Sequence, residues 1–294
     1  MFIELVCINP DYTIMITNKI RIIMKELIDK ALEEDIGKGD ITSQSTIAED
    51  ANAKFKLIAK EDFILCGTEI FTKTFLAIDP NVKIDIYFKD GDQIYSGNVI
   101  LSGEGNARSV LKSERVALNF MQYLSGIASK TDSYVQLCKN TKIKILDTRK
   151  TVPLYRKLAK YAVKIGGGYN HRMGLYDAIL IKDNHISAAG SVKKAILATR
   201  DKLPGEPIEI ECENLDQVKE AVKYNPEIIM LDNMSDDAIE AAIKIIDGRS
   251  KIEVSGNINK QRIERINKLK IDYIAIGDIT YNNSFCDISL KIFV

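Results

Sequence analysis

Apolar positions at Ile23, Leu27, Ile28, Ala31 and Leu32 recur at helical spacing and predict a helix over Ile22–Glu34, closed by the loop Asp35-Ile36-Gly37-Lys38-Gly39-Asp40. The pattern then shifts to period two. Ala53–Ala59 and Val82–Phe88 alternate as strands, with turns expected at Asp90-Gly91-Asp92 and Ser102-Gly103-Glu104-Gly105. From Ser109 to Cys138 the pattern is helical, interrupted only at Gly126. After that a rhythm sets in. Strand-like runs at Lys142–Leu146, Ala178–Ile181, Ile208–Ile210, Ile228–Leu231, Lys251–Val254 and Tyr273–Ile276 are separated by helical stretches such as Ala188–Arg200, Leu215–Tyr224, Asp236–Ile246 and Asn259–Lys268. Strands alternating with helices mean βαβ units and a parallel sheet, either open and doubly wound or closed into a barrel.

The residues that follow each strand run choose between these two. They are Asp147, Lys182, Glu211, Asp232, Ser255 and Gly277. A barrel gathers its site from the C-terminal ends of all its strands, whereas an open sheet uses only those at the switch point. Six polar or small ends in succession favour the barrel. The expected fold class is therefore α/β: an incomplete α/β barrel of about six strands, with a smaller N-terminal α+β domain. The expected divisions are an N-terminal extension over 1–22, the α+β domain over 23–125 and the barrel over 126–294, with the end of the chain free to return to the small domain. Acidic residues at such ends also serve as helix N-caps. That reading fits Asp232, followed by Asn233 and Ser235, but not Lys182.

Composition narrows the function classes. The 294 residues carry 41 basic and 41 acidic side chains, a formal charge of zero. A general nucleic-acid binder needs a basic surface to release counterions, so the balance argues against one while leaving room for a local basic pocket. No run approaches the roughly 20 apolar residues of a membrane helix. Cys7, Cys66, Cys138, Cys212 and Cys286 are scattered, with no C-x-x-C pair, which argues against a zinc site or a disulfide framework. Glu4, Pro10 and Asp11 interrupt the apolar start and no basic segment precedes it, so reduced thiols in the cytoplasm are expected. With only His171 and His185 present, any anion chemistry must rest mainly on Lys, Arg, Asp and Glu.

The densest chemistry lies between the first two barrel strands: Asp147-Thr148-Arg149-Lys150-Thr151, then Lys160, Gly166-Gly167-Gly168, Asn170-His171-Arg172 and Lys182-Asp183-Asn184-His185. Arg149, Lys150, Arg172, Lys182 and Lys160 form a cationic set suited to a ligand with several anionic groups, since Arg grips carboxylate or phosphate with a planar fork. The three glycines permit a tight turn or a close backbone approach, but no Walker A loop follows. Glu211 and Asp232 end neighbouring strands and suit Mg²⁺ or sugar hydroxyls. Glu209 shares Glu211's side of its strand. Ser255-Gly256-Asn257, between a strand and a helix, reads either as a phosphate seat or as a plain N-cap turn. Gly277-Asp278 is a candidate second phosphate loop. His171 reads as an anion binder and His185 as structural.

These residues carry a resemblance. Asp147–Thr151, Gly167-Gly168-Tyr169-Asn170-His171-Arg172, Leu180–His185, Leu231-Asp232-Asn233 and Ser255-Gly256-Asn257, with the earlier Glu34–Thr42 and Glu114–Asn119, resemble the quinolinate phosphoribosyltransferase family in order from about residue 25 onward. The resemblance implies a small N-terminal domain, an incomplete barrel and a homodimer whose sites combine both subunits. It implies transfer of phosphoribosyl from phosphoribosyl pyrophosphate to quinolinate, giving nicotinate mononucleotide, pyrophosphate and CO₂, with Mg²⁺. By position, Arg149, His171, Arg172 and Lys182 would surround the quinolinate carboxylates, and Arg115 would reach in from the partner. Lys150 would contact quinolinate or phosphate, with Thr148 beside it. Glu211 and Asp232 would face the ribose and Mg²⁺–pyrophosphate, and the loops of Ser255, Gly256, Asn257, Gly277 and Asp278 would hold the 5′-phosphate. Lys150, Lys182, Glu211 and Asp232 are the catalytic candidates.

Two departures stand out. Leu154-Tyr155-Arg156 follows Pro153 where the family has Gly-Leu-Arg, and Asp278 replaces a small residue at a place where an anion would oppose phosphate. The competing readings are a same-fold enzyme acting on another base or of the molybdenum-transport type, a lyase using Lys182 as a Schiff-base amine, and a non-catalytic dicarboxylate binder.

Overall fold

The computed structural model describes residues 24–293. The N-terminal extension, Cys7 and the first two positions of the first predicted helix lie outside them. That helix, α1, covers 24–36 and buries Met24, Ile28 and Leu32 on one face. It runs two residues past the predicted end, to Ile36. A short helix that the pattern did not signal, α2 (Ile41–Thr46), follows and is capped by Asp40, whose side chain accepts from the Ser43 N–H.

The small domain is built on a four-stranded antiparallel sheet in the order β12 (Ile288–Phe293), β1 (Asn52–Ala59), β5 (Val99–Asn106), β3 (Lys83–Ile86). The last strand of the chain thus completes the sheet of the first domain, pairing along the free edge of β1. Alternation in β1 turns Ala53, Phe55, Leu57 and Ala59 inward. There they meet Phe71 and Phe75 of α3 (Thr68–Ile78). The pair β2 (Phe63–Ile64) and β4 (Gln93–Ile94) closes one end.

One sequence expectation fails here. Ser102–Gly105 is not a turn but the middle of β5, because cross-strand packing overrides the turn preference of Ser and Gly. Gly103 lies opposite Phe55, and a Cβ there would fall 2.4 Å from the Phe55 ring. The missing side chain makes room for the ring.

A single 32-residue helix, α4 (Ala107–Cys138), carries the chain from one domain to the other. Asn106 caps it by accepting from the Ser109 N–H. Val110, Ala117, Leu118 and Met121 pack on the small sheet, while Leu124, Ile127, Ala128, Tyr134 and Cys138 pack on the larger core. The predicted interruption at Gly126 is a packing notch: a Cβ there would lie 1.9 Å from the Ser284 carbonyl oxygen.

The second domain is a six-stranded parallel sheet in the order β6 (Lys144–Leu146), β11 (Tyr273–Ala275), β10 (Lys251–Ser255), β9 (Ile228–Asp232), β8 (Ile208–Cys212), β7 (Ile179–Ile181). Its two terminal strands are β6 and β7, so the barrel is incomplete. Beside β6, Tyr169 makes a parallel bridge to Leu146 and fills part of the seam. Helices pack outside, among them α5 (Arg156–Ile165), α8 (Leu215–Val222), α9 (Asp236–Ile246) and α10 (Lys260–Ile266). The predicted helix Ala188–Arg200 is two, α6 (Asp183–Ala189) and α7 (Val192–Lys202). Gly190 turns left-handed between them (φ 89°) and Ser191 caps the second.

Period-two geometry sorts the strands. Ile208, Ile210, Cys212, Ile229, Leu231, Ile252, Val254 and Ile274 face the helices. Leu146, Ile228, Tyr273 and Ala275 form a separate apolar floor inside the barrel. Glu209, Glu211, Asp232 and Glu253 take other inner positions and, with Leu180 and Met230, surround the site.

Gly126→Ala is expected to lower unfolding free energy by about 2–3 kcal/mol, since the helix and the 283–285 segment must part to admit a methyl group. The denaturant midpoint measures it.

Candidate active site

A cavity of about 860 Å³ opens at the C-terminal ends of the barrel strands. Thr148, Arg149, Lys150, His171, Arg172, Lys182, Glu211, Asp232, Ser255, Gly256, Asn257, Gly277 and Asp278 all line it. Of the predicted site residues Arg115 and Lys160 are elsewhere, Arg115 exposed on α4 and Lys160 buried behind the wall.

The cationic wall comes from the loops after β6 and after α5. Arg149 Nε is buried and has no hydrogen-bond partner. Burial and the nearby Arg149 both push the Arg172 guanidinium below its ordinary value. Two guanidinium groups held close, one with an unused buried donor, make a receptor for an anion. Arg156 fixes this wall: its guanidinium donates to Thr151 Oγ1 at 3.2 Å, the Met173 carbonyl at 3.0 Å and the Arg149 carbonyl at 3.3 Å. Thr148 Oγ1 accepts from the Lys150 N–H at 3.0 Å. Leu154, in the altered Leu-Tyr-Arg segment, adopts a left-handed φ of 65° that glycine would take without strain.

Asp147, at the end of β6, and Lys160, on α5, are not on the mouth. Asp147 is fully buried and ion-pairs with Lys160, which is buried too. Asp147 also accepts from Asn170 Nδ2 at 2.6 Å and from the His171 N–H at 2.9 Å, and Lys160 Nζ donates to the His171 carbonyl at 2.9 Å. Burial pushes the Asp147 carboxyl up and the Lys160 ammonium down, and each charge sustains the other. Lys160 is thus no member of the cationic mouth but a brace behind it, because its side chain pairs with the buried Asp147 carboxylate. The Gly166–Gly168 run serves packing too. A Cβ at Gly166 would lie 2.2 Å from the Ala128 carbonyl, and one at Gly168 2.7 Å from Thr131 Cγ2, both on α4.

His171 is engaged on both sides. Nδ1 accepts from the Arg172 N–H at 2.7 Å, and Nε2 faces Glu209 at 3.2 Å and Glu253 at 3.6 Å. Burial opposes a charge on the ring and the two carboxylates push the imidazole up; with Nδ1 accepting, the ring proton sits on Nε2, toward Glu209. Glu253 carried no sequence signal beyond its place in a strand. His185 is exposed, and its Nδ1 accepts from the Lys182 N–H at 2.9 Å at the start of α6.

The acidic side comes from β8 and β9. Glu211 Oε2 accepts from Lys182 Nζ at 2.7 Å. Burial raises the Glu211 carboxyl, Lys182 pulls it down, and Asp232 raises it further. Beyond Asp232, Asn233 donates to Asp232 Oδ2 at 2.7 Å and accepts from Asn257 Nδ2 at 3.0 Å. Gly256 turns at φ 87° against Asn233, and Arg262 donates to the Gly256 carbonyl at 2.8 Å. The α10 helix itself begins only at Lys260, capped by Asn259. At the last loop, Asp278 pairs with Lys130 of α4 at 2.6 Å and accepts from Asn282 at 2.7 Å. Burial alone would raise the Asp278 carboxyl, yet these partners hold it below its ordinary value.

A family model described as the quinolinate phosphoribosyl transferase N-terminal domain matches residues 40–125, and its C-terminal domain counterpart matches 127–291. The chain belongs to the quinolinate phosphoribosyltransferase family. It is an enzyme of that family, a pentosyltransferase. It is 40% identical over 270 residues to the probable carboxylating nicotinate-nucleotide pyrophosphorylase of Bacillus subtilis, covering 92% of this chain and 93% of that one. The Methanocaldococcus jannaschii protein of the same description is 42% identical over 277 residues, covering 91% and 96%. Among solved structures, the nicotinate-nucleotide pyrophosphorylase from Ehrlichia chaffeensis superposes with a TM-score of 0.89 at 43% identity, covering 92% of this chain and 98% of that one.

Asp147→Asn is expected to destabilise the fold by about 3–5 kcal/mol, because it leaves the buried Lys160 ammonium without its countercharge. Chemical denaturation measures the loss.

Proposed function

We propose that this chain transfers the phosphoribosyl group of phosphoribosyl pyrophosphate to quinolinate with loss of CO₂, giving nicotinate mononucleotide and pyrophosphate, a step of de novo NAD biosynthesis. The observation that carries the reading is the unpartnered, buried Nε of Arg149 beside Arg172, in a family whose relatives are named for this reaction. Arg149 and Arg172 grip the quinolinate carboxylates, His171 lines that subsite, and Lys182 borders it. Pyrophosphate departure leaves an oxocarbenium-like sugar, which the ring nitrogen attacks. Lys150 stabilises charge leaving on the phosphates. The quaternised nitrogen then draws the electron pair released by the 2-carboxylate.

Glu211 and Asp232 suit Mg²⁺: they are oxygen donors on adjacent strands, and Asp232 raises the cost of ionising Glu211, which a hard cation relieves. When bound with pyrophosphate, the ion supplies Lewis-acid stabilisation of the leaving charge. The same two carboxylates face the ribose hydroxyls. Backbone groups of the Ser255-Gly256-Asn257 and Gly277 loops receive the 5′-phosphate, where Asp278 is partly offset by Lys130. Arg115, exposed on α4, is offered to the site of a second copy in a homodimer. We place the enzyme in the cytoplasm. The four cysteines described are free and buried, and no helix among the described residues is long and apolar enough to cross a membrane. The Schiff-base reading loses support, because Lys182 Nζ is engaged by Glu211 at 2.7 Å, and a Schiff base requires that nitrogen free to attack a carbonyl.

The purified protein given quinolinate and phosphoribosyl pyrophosphate is expected to yield nicotinate mononucleotide, pyrophosphate and CO₂ in equal amounts. A folded sample that yields no mononucleotide overturns the reading. Arg172→Ala should cut kcat/KM for quinolinate about 100- to 1000-fold, roughly 3–4 kcal/mol of transition-state stabilisation. Asp278→Ala frees the Lys130 ammonium toward the phosphate loop, so the KM for phosphoribosyl pyrophosphate should fall roughly fivefold, about 1 kcal/mol. Steady-state kinetics checks both.

A further inference from the structure

The reaction proposed above requires one proton that none of the groups assigned so far delivers. When the carboxyl group leaves C2 of the pyridine ring, its electron pair stays on C2, and the product carries hydrogen there. Glu253 sits on the inner row of β10, level with Met230 of β9 and Tyr273 of β11, and lines the cavity at its deep end. It is 1% exposed, and its Oε1 has no hydrogen-bond partner. An ionised carboxylate with a bare oxygen would be costly there, and it would repel the dicarboxylate that the cavity is built to receive. A neutral acid satisfies both constraints and turns its proton toward the cavity.

The groups facing Glu253 agree. Glu209 and Glu211 approach from β8, His171 from the segment after α5 and Lys182 from the end of β7. Burial and the two glutamates raise the carboxyl to about 8 against the pull of His171 and Lys182. The other proton carriers nearby are engaged: Lys182 Nζ with Glu211, and His171 Nε2 with Glu209. The cluster of His171, Glu209 and Glu253 also has the spacing of a metal site. A metal on Nε2 would move the ring proton to Nδ1, which here accepts from the Arg172 N–H, so the geometry opposes that use.

We propose that Glu253 is the general acid of the decarboxylation, a reading that rests on the function proposed above. The C2–carboxyl bond breaks as the proton moves: CO₂ departs neutral while the electron pair of that bond, beside the positive ring nitrogen, takes the proton from Glu253 in the same step, so cleavage is slow without the acid. The carboxylate so formed is reprotonated from solvent after product release.

Glu253→Gln keeps the shape and removes the acid. In rapid-quench single turnovers, pyrophosphate and CO₂ are measured separately on wild type and variant. Wild type is expected to release both together. The variant should release pyrophosphate while CO₂ lags about a hundredfold, and a mononucleotide still carrying both carboxylates should accumulate, visible by mass. If pyrophosphate and CO₂ stay in step in the variant, at whatever rate, the proposal is overturned. If wild type makes neither, the functional reading fails instead. Should Glu253→Gln not fold, Glu253→Asp, which keeps the acid but shortens its reach, is expected to show a smaller lag. Strict coincidence there overturns the proposal equally.

Discussion

The buried Asp147–Lys160 pair is the constraint on which the site depends. It lies where the barrel is open, at the end of β6, and it joins three pieces of chain, of which only the β6 edge and the Tyr169 segment share a sheet bridge. Asp147 ends the strand, Lys160 comes from α5, and Asn170 and His171 belong to the segment that returns along the strand edge. Two desolvated charges are costly apart and tolerable only together. The pair therefore fixes how the segment bearing Arg172 sits beside the loop bearing Arg149. Arg156 completes the lock from the solvent side by holding carbonyls of both loops.

That lock lets like charges stand close. Arg149 and Arg172 repel each other, and an unconstrained pair would part. Held from behind, they face the cavity with an unused donor between them. Across the cavity the strands supply the opposite sign through alternation alone: Glu209 and Glu211 on β8, Asp232 on β9 and Glu253 on β10 all fall on inward positions. The formal charge of zero over the whole chain conceals this separation. So does the low histidine count. One imidazole is tied into the carboxylate cluster and the other into a helix start, so most of the chemistry left to the chain is placing charge. The single proton transfer falls to a glutamate.

Much of this was legible in the sequence. The βαβ rhythm gave all six barrel strands, because fully buried parallel strands read as short apolar runs. The residues at their ends gave most of the cavity lining, because alternation and the C-terminal mouth leave few other places for them. The errors share one cause. Ser102–Gly105 looked like a turn, and Gly166–Gly168 left a turn or a close backbone approach equally open, since glycine signals only that a side chain is absent. Phe55 fills the first gap and α4 the second. Lys160 looked like one more cation of the mouth, since its charge is visible in sequence and its burial is not.

What the sequence determined by itself was the six barrel strands, their order along the chain and the family to which the motifs belong, because local periodicity and motif spacing are properties of neighbours. The tertiary structure alone decided which charges face the ligand and which neutralise each other: Asp147 with Lys160, Asp278 with Lys130, Lys182 with Glu211. It also decided that Glu253 is left with a bare oxygen. Those outcomes depend on distances between residues far apart in the chain and on how much water reaches them, and neither is written in local order.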